Sequence, residues 1–191
     1  MAVIEGIPWD ELPDEAREMI EAGRATGMYT TPVPLQVMAY STAALRAMHD
    51  SYRATFRAGV LDERLAELLR LRSATAGGCA LCMSSRKDET VTDDTVACLM
   101  EPDPEQFTAR ELAAMQYFDL IAYDHLAIGP DTYRELHKHF STAEIVELAY
   151  FCATAMGTHR FMHSLAFESD DTPVIAYDAA EVDRAREPAD R

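Results

Sequence analysis

The sequence predicts an all-α helical bundle. Apolar residues recur at helical spacing along most of the chain. Polar capping residues (Asp62, Thr92, Thr108, Ser141) stand just before several of these runs. No stretch alternates apolar and polar residues as a half-buried strand does.

The elements follow in order. Ile4 to Trp9 is an extended lead-in. Asp10 to Gly27 is a short helix with Pro13 near its start and a glycine at its end. Thr30 to Pro34 holds two prolines and resists regular structure. Leu35 to Gly59 is one helix, with Leu35, Met38, Ala39, Leu45 and Met48 along its buried stripe. Asp62 caps a helix from Glu63 to Ala76, whose buried stripe is Leu65, Leu68 and Leu69. A helix opens near Cys79 and runs to about Lys87, and Thr92 to Asp94 cap a short helix from Thr95 to Met100. Glu101 to Pro104 breaks the chain. Thr108 with Glu111 is a capping-box pattern, followed by a long helix from Arg110 to Ile128 that stops at Gly129-Pro130. Asp131 to Phe140 is helical. Ser141 with Glu144 repeats the capping box and starts the longest helix, Thr142 to about Phe167.

At 191 residues the chain is long enough to bury a real core, and it is read as a single all-α domain with a loosely ordered acidic tail from about residue 169. Val174, Ile175 and Tyr177 in that tail form a small apolar patch suited to packing on a neighbour. No run reaches the ~18 apolar residues of a membrane span, and the first residues lack the basic start of a secretion signal. The net charge of -16 disfavours nucleic acid as a partner, since phosphates would be repelled. Four cysteines in a long chain argue for a reducing compartment, so the expected location is cytoplasmic.

The stretch that carries chemistry is Gly77-Gly78-Cys79-Ala80-Leu81-Cys82-Met83-Ser84-Ser85-Arg86. The glycine pair suits a helix end followed by a tight turn. The two thiols then fall in the first turn of the next helix, where free N–H groups and the helix dipole favour a thiolate. Residues three apart share a helix face, within the ~4.4–6.8 Å Cα separation of a disulfide. The local chemistry is that of a dithiol able to close and reopen.

The run Leu61-Asp62-Glu63-Arg64-Leu65-Ala66-Glu67-Leu68, followed by Gly78-Cys79-x-x-Cys82, resembles the carboxymuconolactone decarboxylase/alkylhydroperoxidase D-like family. Phe140 to Leu148, with His159-Arg160-Phe161 beyond, is similar to that family's C-terminal helix, so the resemblance covers roughly residues 35 to 165. It implies an all-α homo-oligomer of the alkylhydroperoxidase D-like type, a trimer or hexamer; no cofactor and no metal are expected. Its thiol members reduce peroxides or pass electrons to a partner disulfide. By position, Cys82 matches the cysteine oxidised to sulfenic acid, Cys79 its disulfide partner, and Glu67 the family's glutamate. The family histidine four residues after the second cysteine is replaced by Arg86, and the one directly before that cysteine by Leu81. Two roles stay open for Arg86: a fixed positive charge one turn beyond Cys82, on the same helix face, or an ion pair with Glu67. Glu67 itself is either the base that replaces the histidine or a surface salt-bridge partner of Arg64, Arg70 or Arg72.

The remaining candidates have plainer readings. Cys98 and Cys152 are small buried hydrophobes rather than ligands, and a four-cysteine zinc site with Cys79 and Cys82 has only one of its two knuckles. His159 and His163 stand at metal-binding spacing, but no carboxylate joins them and a packing stripe with Cys152 and Met156 accounts for them. Tyr117, Phe118 and Tyr123 are core or subunit contacts, and Ser84 and Ser85 are helix-surface serines. The expected activity is a thiol-dependent peroxidase or disulfide reductase acting on a small-molecule peroxide or a protein disulfide, through Cys82, Cys79, Glu67 and Arg86. The alternatives are a carboxymuconolactone-type decarboxylase and a non-catalytic helical oligomer.

Overall fold

The computed structural model describes residues 3–166, which are helices and connections with no strand among them. The expected acidic tail, and with it Val174, Ile175 and Tyr177, lies outside the described residues.

A single turn at Trp9–Glu11 precedes helix α1, Asp14–Ala25. The expected helix from Asp10 is divided there because Pro13 disfavours the helical conformation for the residue before it, and Leu12 is extended (ψ 138°). Gly27 takes a left-handed φ of 66° just beyond the helix end. The expected single helix Leu35 to Gly59 is also divided. α2 covers Val33–Met38, a tight turn follows, and α3 covers Thr42–Tyr52. Ser41 is responsible: its backbone leaves the helical region and its hydroxyl accepts the Ala44 N–H at 3.3 Å, restarting the helix. Pro34 sits in the first turn of α2, where its missing N–H costs nothing, so the Pro-rich connector is itself partly helical. A wide helical turn at Arg53–Arg57 closes this half.

Asp62 caps α4, Glu63–Ala76, by accepting the Leu65 N–H at 2.9 Å. This helix is enclosed on nearly every side: Leu65, Ala66, Leu68, Leu69, Leu71 and Ala74 are all buried, and so are Glu67, Arg70, Arg72 and Ser73. α5 is only Ala80–Met83, with Cys79 as its cap, and α6 is Asp93–Ala97 behind Thr92. The helix expected to run on to Lys87 stops at Met83 because Arg70 and Glu67 take up the polar backbone of the following loop. α7 is Ala109–Tyr123, opened by the Thr108–Glu111 capping box. It ends short of Ile128 because Asp124 leaves the helical region (φ -150°, ψ 56°), and a turn at His125–Ala127 follows. α8 is Pro130–Leu136, and α9 is Thr142–Ser164 behind the Ser141–Glu144 capping box.

Two apolar clusters result. The first gathers Leu65, Leu68, Leu69 and Leu71 of α4, Met115, Tyr117 and Phe118 of α7, and Leu148, Phe151, Cys152 and Met156 of α9. The second gathers Ile20, Leu35, Met38 and Leu45 with Cys79, and with Met162 and Leu165 from the end of α9. So α9 runs through both clusters, and the cysteine turn sits against the second. The predicted core placement of Tyr117, Phe118 and Cys152 holds; Tyr123 is 61% exposed, and Cys98 is half-buried against the first cluster.

Candidate functional site

The turn that carries the cysteines is built by backbone hydrogen bonds that glycine permits. Gly77 N–H donates to Ser73 O at 2.8 Å and Gly78 N–H to Thr75 O at 3.1 Å, with Gly78 at a left-handed φ of 68°. Cys79 and Cys82 form a disulfide with Cα atoms 5.3 Å apart. Cys79 Sγ also accepts the Cys82 N–H at 3.3 Å, so a sulfur occupies the cap position of α5. The two sulfurs differ in access. Cys79 is buried in the second cluster, whereas Cys82 is half-buried and forms part of the wall of a cavity of about 450 Å³.

That volume falls within the roughly 300–1,000 Å³ typical of small-molecule sites. Its walls come from both clusters, Leu35 and Met48 from one and Tyr52, Phe151 and Ala155 from the other, with Met28 added and Leu81 beside Cys82. The polar groups facing it include Arg70, Ser85, Lys87 and His159. Ser85 is therefore a buried cavity residue, and of the serine pair only Ser84 lies on the surface as predicted.

Glu67 is fully buried and does not line the cavity. Arg70 meets it through two bonds, Nε to Oε2 at 2.6 Å and Nη2 to Oε1 at 2.8 Å. The same guanidinium donates to the Cys82 carbonyl at 2.7 Å and to the Ser85 carbonyl at 2.8 Å, and Glu67 Oε1 also accepts the Lys87 N–H at 2.8 Å. The pair is thus a buried pillar under the loop from Cys82 to Lys87. Of the three candidate arginines, Arg70 is the partner. Arg72 reaches Asp119 at 2.6 Å and Arg64 reaches Glu111 at 2.8 Å.

Arg86 stands apart from both roles read for it. With α5 ending at Met83 it is not on the helix of Cys82. Its guanidinium bonds Asp93 at 2.7 Å and the Met83 carbonyl at 2.6 Å, and it does not line the cavity. No ion pair joins it to Glu67. Lys87, by contrast, is buried, lines the cavity and donates from Nζ to Gly27 O at 2.9 Å.

The two histidines of α9 close on the glycine turn. His159 is buried, with Nδ1 2.8 Å from the Ser73 hydroxyl, and it lines the cavity. Burial, and then the Arg70 charge, push its pKa down to about 3, so the imidazole is neutral at physiological pH. His163 bonds the Gly78 carbonyl through Nδ1 at 2.8 Å. They hold separate partners and no metal-sized cluster forms among the described residues. Reading His159 as packing missed its place in the cavity. The available signal was the glycine pair, which lets a neighbouring helix approach the cysteine turn.

No family model matches the sequence, and neither does any curated protein. Solved structures do share the fold. A peroxidase-related protein from Ralstonia eutropha JMP134, described as an alkylhydroperoxidase AhpD core, superposes with a TM-score of 0.70 at 17% identity, covering 90% of this chain and 95% of that one. A peroxidase-related protein from Silicibacter sp. TM1040 gives 0.70 at 18% identity, covering 94% of both chains. The debrominase Bmp8 gives 0.67 at 15% identity, covering 96% and 97%, and its cysteine-to-alanine variant is known in complex with 2,3,4-tribromopyrrole. The chain has the all-α alkylhydroperoxidase D-like fold.

Proposed function

We propose that the protein is a thiol-dependent peroxidase acting on organic hydroperoxides, with Cys82 as the attacking thiol and Cys79 as the resolving one. The observation that carries this is the difference between the two sulfurs: Cys82 faces the apolar cavity, and Cys79 is buried within bonding distance behind it. In the reduced protein the Cys82 sulfur attacks the distal oxygen of ROOH. The O–O bond breaks, ROH leaves, and Cys82 becomes a sulfenic acid. The Cys79 thiol then displaces water from it, forming the disulfide. A thiol reductant or a partner's dithiol returns both cysteines by exchange at the reachable Cys82 sulfur.

Organic rather than hydrogen peroxide is favoured because the walls are mostly carbon. Met28, Leu35, Met48, Tyr52 and Phe151 offer an apolar group burial worth about 25 cal/mol per Å², which hydrogen peroxide cannot gain. Glu67 and Arg70 fix the Cys82 loop rather than react, and Arg86 ties the end of α5 to α6. The reading implies a compartment able to reduce the disulfide, as the cytoplasm is. It also implies assembly into a homo-oligomer, for which Val146 and Phe161 on α9 supply exposed apolar surface. No described helix is long and apolar enough to cross a membrane.

The same cavity supports a second reading, reductive removal of halogen from a compact aromatic ring. There the dithiol supplies two electrons (R–Br plus two thiols giving R–H, HBr and the disulfide), and Tyr29, Tyr52 and Phe151 in the wall suit a flat ring. Decarboxylation fits less well. The Arg70 cation that would clamp a carboxylate is already held by Glu67 and two carbonyls.

The test uses the reduced full chain with cumene hydroperoxide, hydrogen peroxide and a bromopyrrole in parallel. Mass spectrometry should show loss of two hydrogens and a Cys79–Cys82 link, fastest with cumene hydroperoxide. Cys82→Ser should abolish turnover, and Cys79→Ser should leave Cys82 trapped as a sulfenic acid. Disulfide formation with the bromopyrrole alone selects the second reading. No disulfide with any of the three removes the redox assignment.

A further inference from the structure

We propose that His159 carries the proton in the hydroperoxide step at Cys82. The proposal rests on the peroxidase reading and adds to it a residue that no spacing from the cysteines would have picked out.

The step needs a proton carrier. Cys82–SH plus ROOH gives Cys82–SOH plus ROH, with no net proton gained or lost. Sulfur gives up two electrons, the O–O bond takes them, and the thiol proton must finish on the departing RO⁻. In water this happens through solvent. In an apolar cavity it needs a side chain that both accepts and donates.

Among the described residues that line the cavity, His159 is the one imidazole. The other polar groups are poorly suited. Arg70 stays protonated at any ordinary pH and is bound on several sides. Burial raises the pKa of the Tyr29 phenol, and its hydroxyl meets His49 Nδ1 at 3.0 Å. The Lys87 ammonium donates to Gly27 O and has no lone pair to accept with. His159 is different. Ser73 fixes its ring through Nδ1, and Nε2 has no hydrogen-bond partner among the described residues. The nitrogen it offers to a bound molecule is therefore Nε2.

Its position is built, not incidental. A Cβ at Gly77 would lie 2.8 Å from the His159 Cβ and 3.3 Å from the Arg160 backbone nitrogen, so the missing side chain is what lets α9 settle on the cysteine turn. Burial, and then the charge of Arg70, the residue that holds the Cys82 carbonyl, keep the ring neutral, so it meets the thiol with a lone pair free. With Nδ1–H donating to the Ser73 hydroxyl, Nε2 holds the lone pair; the ring takes the thiol proton there as sulfur attacks and returns it to RO⁻ as the O–O bond breaks.

The test compares two reactions of Cys82 in the reduced full chain. One is single-turnover oxidation by cumene hydroperoxide, which needs the proton. The other is alkylation by iodoacetamide at alkaline pH, in which solvent base takes the thiol proton and none is delivered to a leaving group. His159→Leu should slow the hydroperoxide reaction by about a hundredfold, the usual scale of lost acid–base help, and leave alkylation within about twofold. His159→Gln, which keeps the size of the ring, guards against a folding defect and should show the same split. Ser73→Ala should slow the hydroperoxide reaction more mildly, by releasing the ring. If both His159 variants keep the wild-type hydroperoxide rate, or lose alkylation in parallel with it, the assignment is overturned. A wild-type protein that forms no disulfide with cumene hydroperoxide overturns the parent reading instead, and that result is distinct from either.

Discussion

Glu67 and Arg70 decide how the loop after Cys82 is held. Both side chains are almost fully buried, and their polar atoms are matched by each other and by the Cys82, Ser85 and Lys87 backbone. Replacing Glu67 by Gln leaves the Arg70 charge buried without its counter-ion. The expected cost is about 3–5 kcal/mol, read as a lower denaturation midpoint, with slower Cys82 oxidation following from a loosened loop. Were Glu67 also the base for Cys82, oxidation would slow while iodoacetamide alkylation at alkaline pH kept its rate; a loosened loop alone alters both, so the two rates on one variant separate a pillar from a base. The sequence gives the pair some warning. Glu67, Arg70 and Arg72 are embedded among Leu65, Leu68, Leu69 and Leu71, so apolar residues fall on nearly every face of the helix and its charges must be buried too. Arg86 gave no such warning. Its expected place requires α5 to continue to Lys87, and a four-residue helix turns it toward Asp93 instead.

Helices whose caps are written in neighbouring residues were legible. Asp62, Thr92, Thr108 and Ser141 each accept the backbone bond their position predicts. The misplaced boundaries share one physical origin, a local conformation or a long-range partner that overrides periodicity. Pro13 and Ser41 act locally, whereas the end of α5 is set by Arg70 and Glu67 from another helix. The glycine pair marks a turn in the sequence itself, but its second task, to admit α9, depends on a contact 82 positions away, between Gly77 and His159, which spacing cannot show. The two glycines should therefore respond differently. At Gly77 the backbone is ordinary (φ -87°) and the obstacle is the His159 Cβ, so Gly77→Ala should cost about 1–3 kcal/mol from overpacking. At Gly78 the obstacle is the left-handed backbone, so Gly78→Ala should cost about 1–2 kcal/mol and Gly78→Asn distinctly less. Thermal melts of the three variants check this; equal losses for Ala and Asn at position 78 would mean that contact with the His163 ring, not φ, sets the cost there.

At the scale of the whole molecule, the cavity lies where two apolar clusters meet, and α9 joins them. His159 sits on that helix, so its charge state belongs to the stability of the fold as well as to the site. Burial and then Arg70 lower its pKa to about 3, against an ordinary 6.5. The sign follows directly. Above pH 6.5 the ring is neutral folded or unfolded and contributes no pH dependence. Below it the unfolded chain takes up a proton that the folded chain refuses, so stability falls with pH until the folded value is reached. The slope approaches about 1.4 kcal/mol per pH unit for one proton. Glu144 works in a lower window. Backbone and side-chain hydrogen bonds from Ser141, and then Arg110, hold it at about 2, so its contribution is complete above the ordinary carboxylate range and lost only as pH falls toward 2. The two effects separate between pH 6.5 and about 4.5, where ordinary carboxylates remain ionised. Denaturant midpoints across that interval should decline for the wild-type protein and decline less steeply for His159→Gln. Parallel declines for the two proteins would place the acid sensitivity elsewhere and mean that α9 accepts a charged ring at the seam.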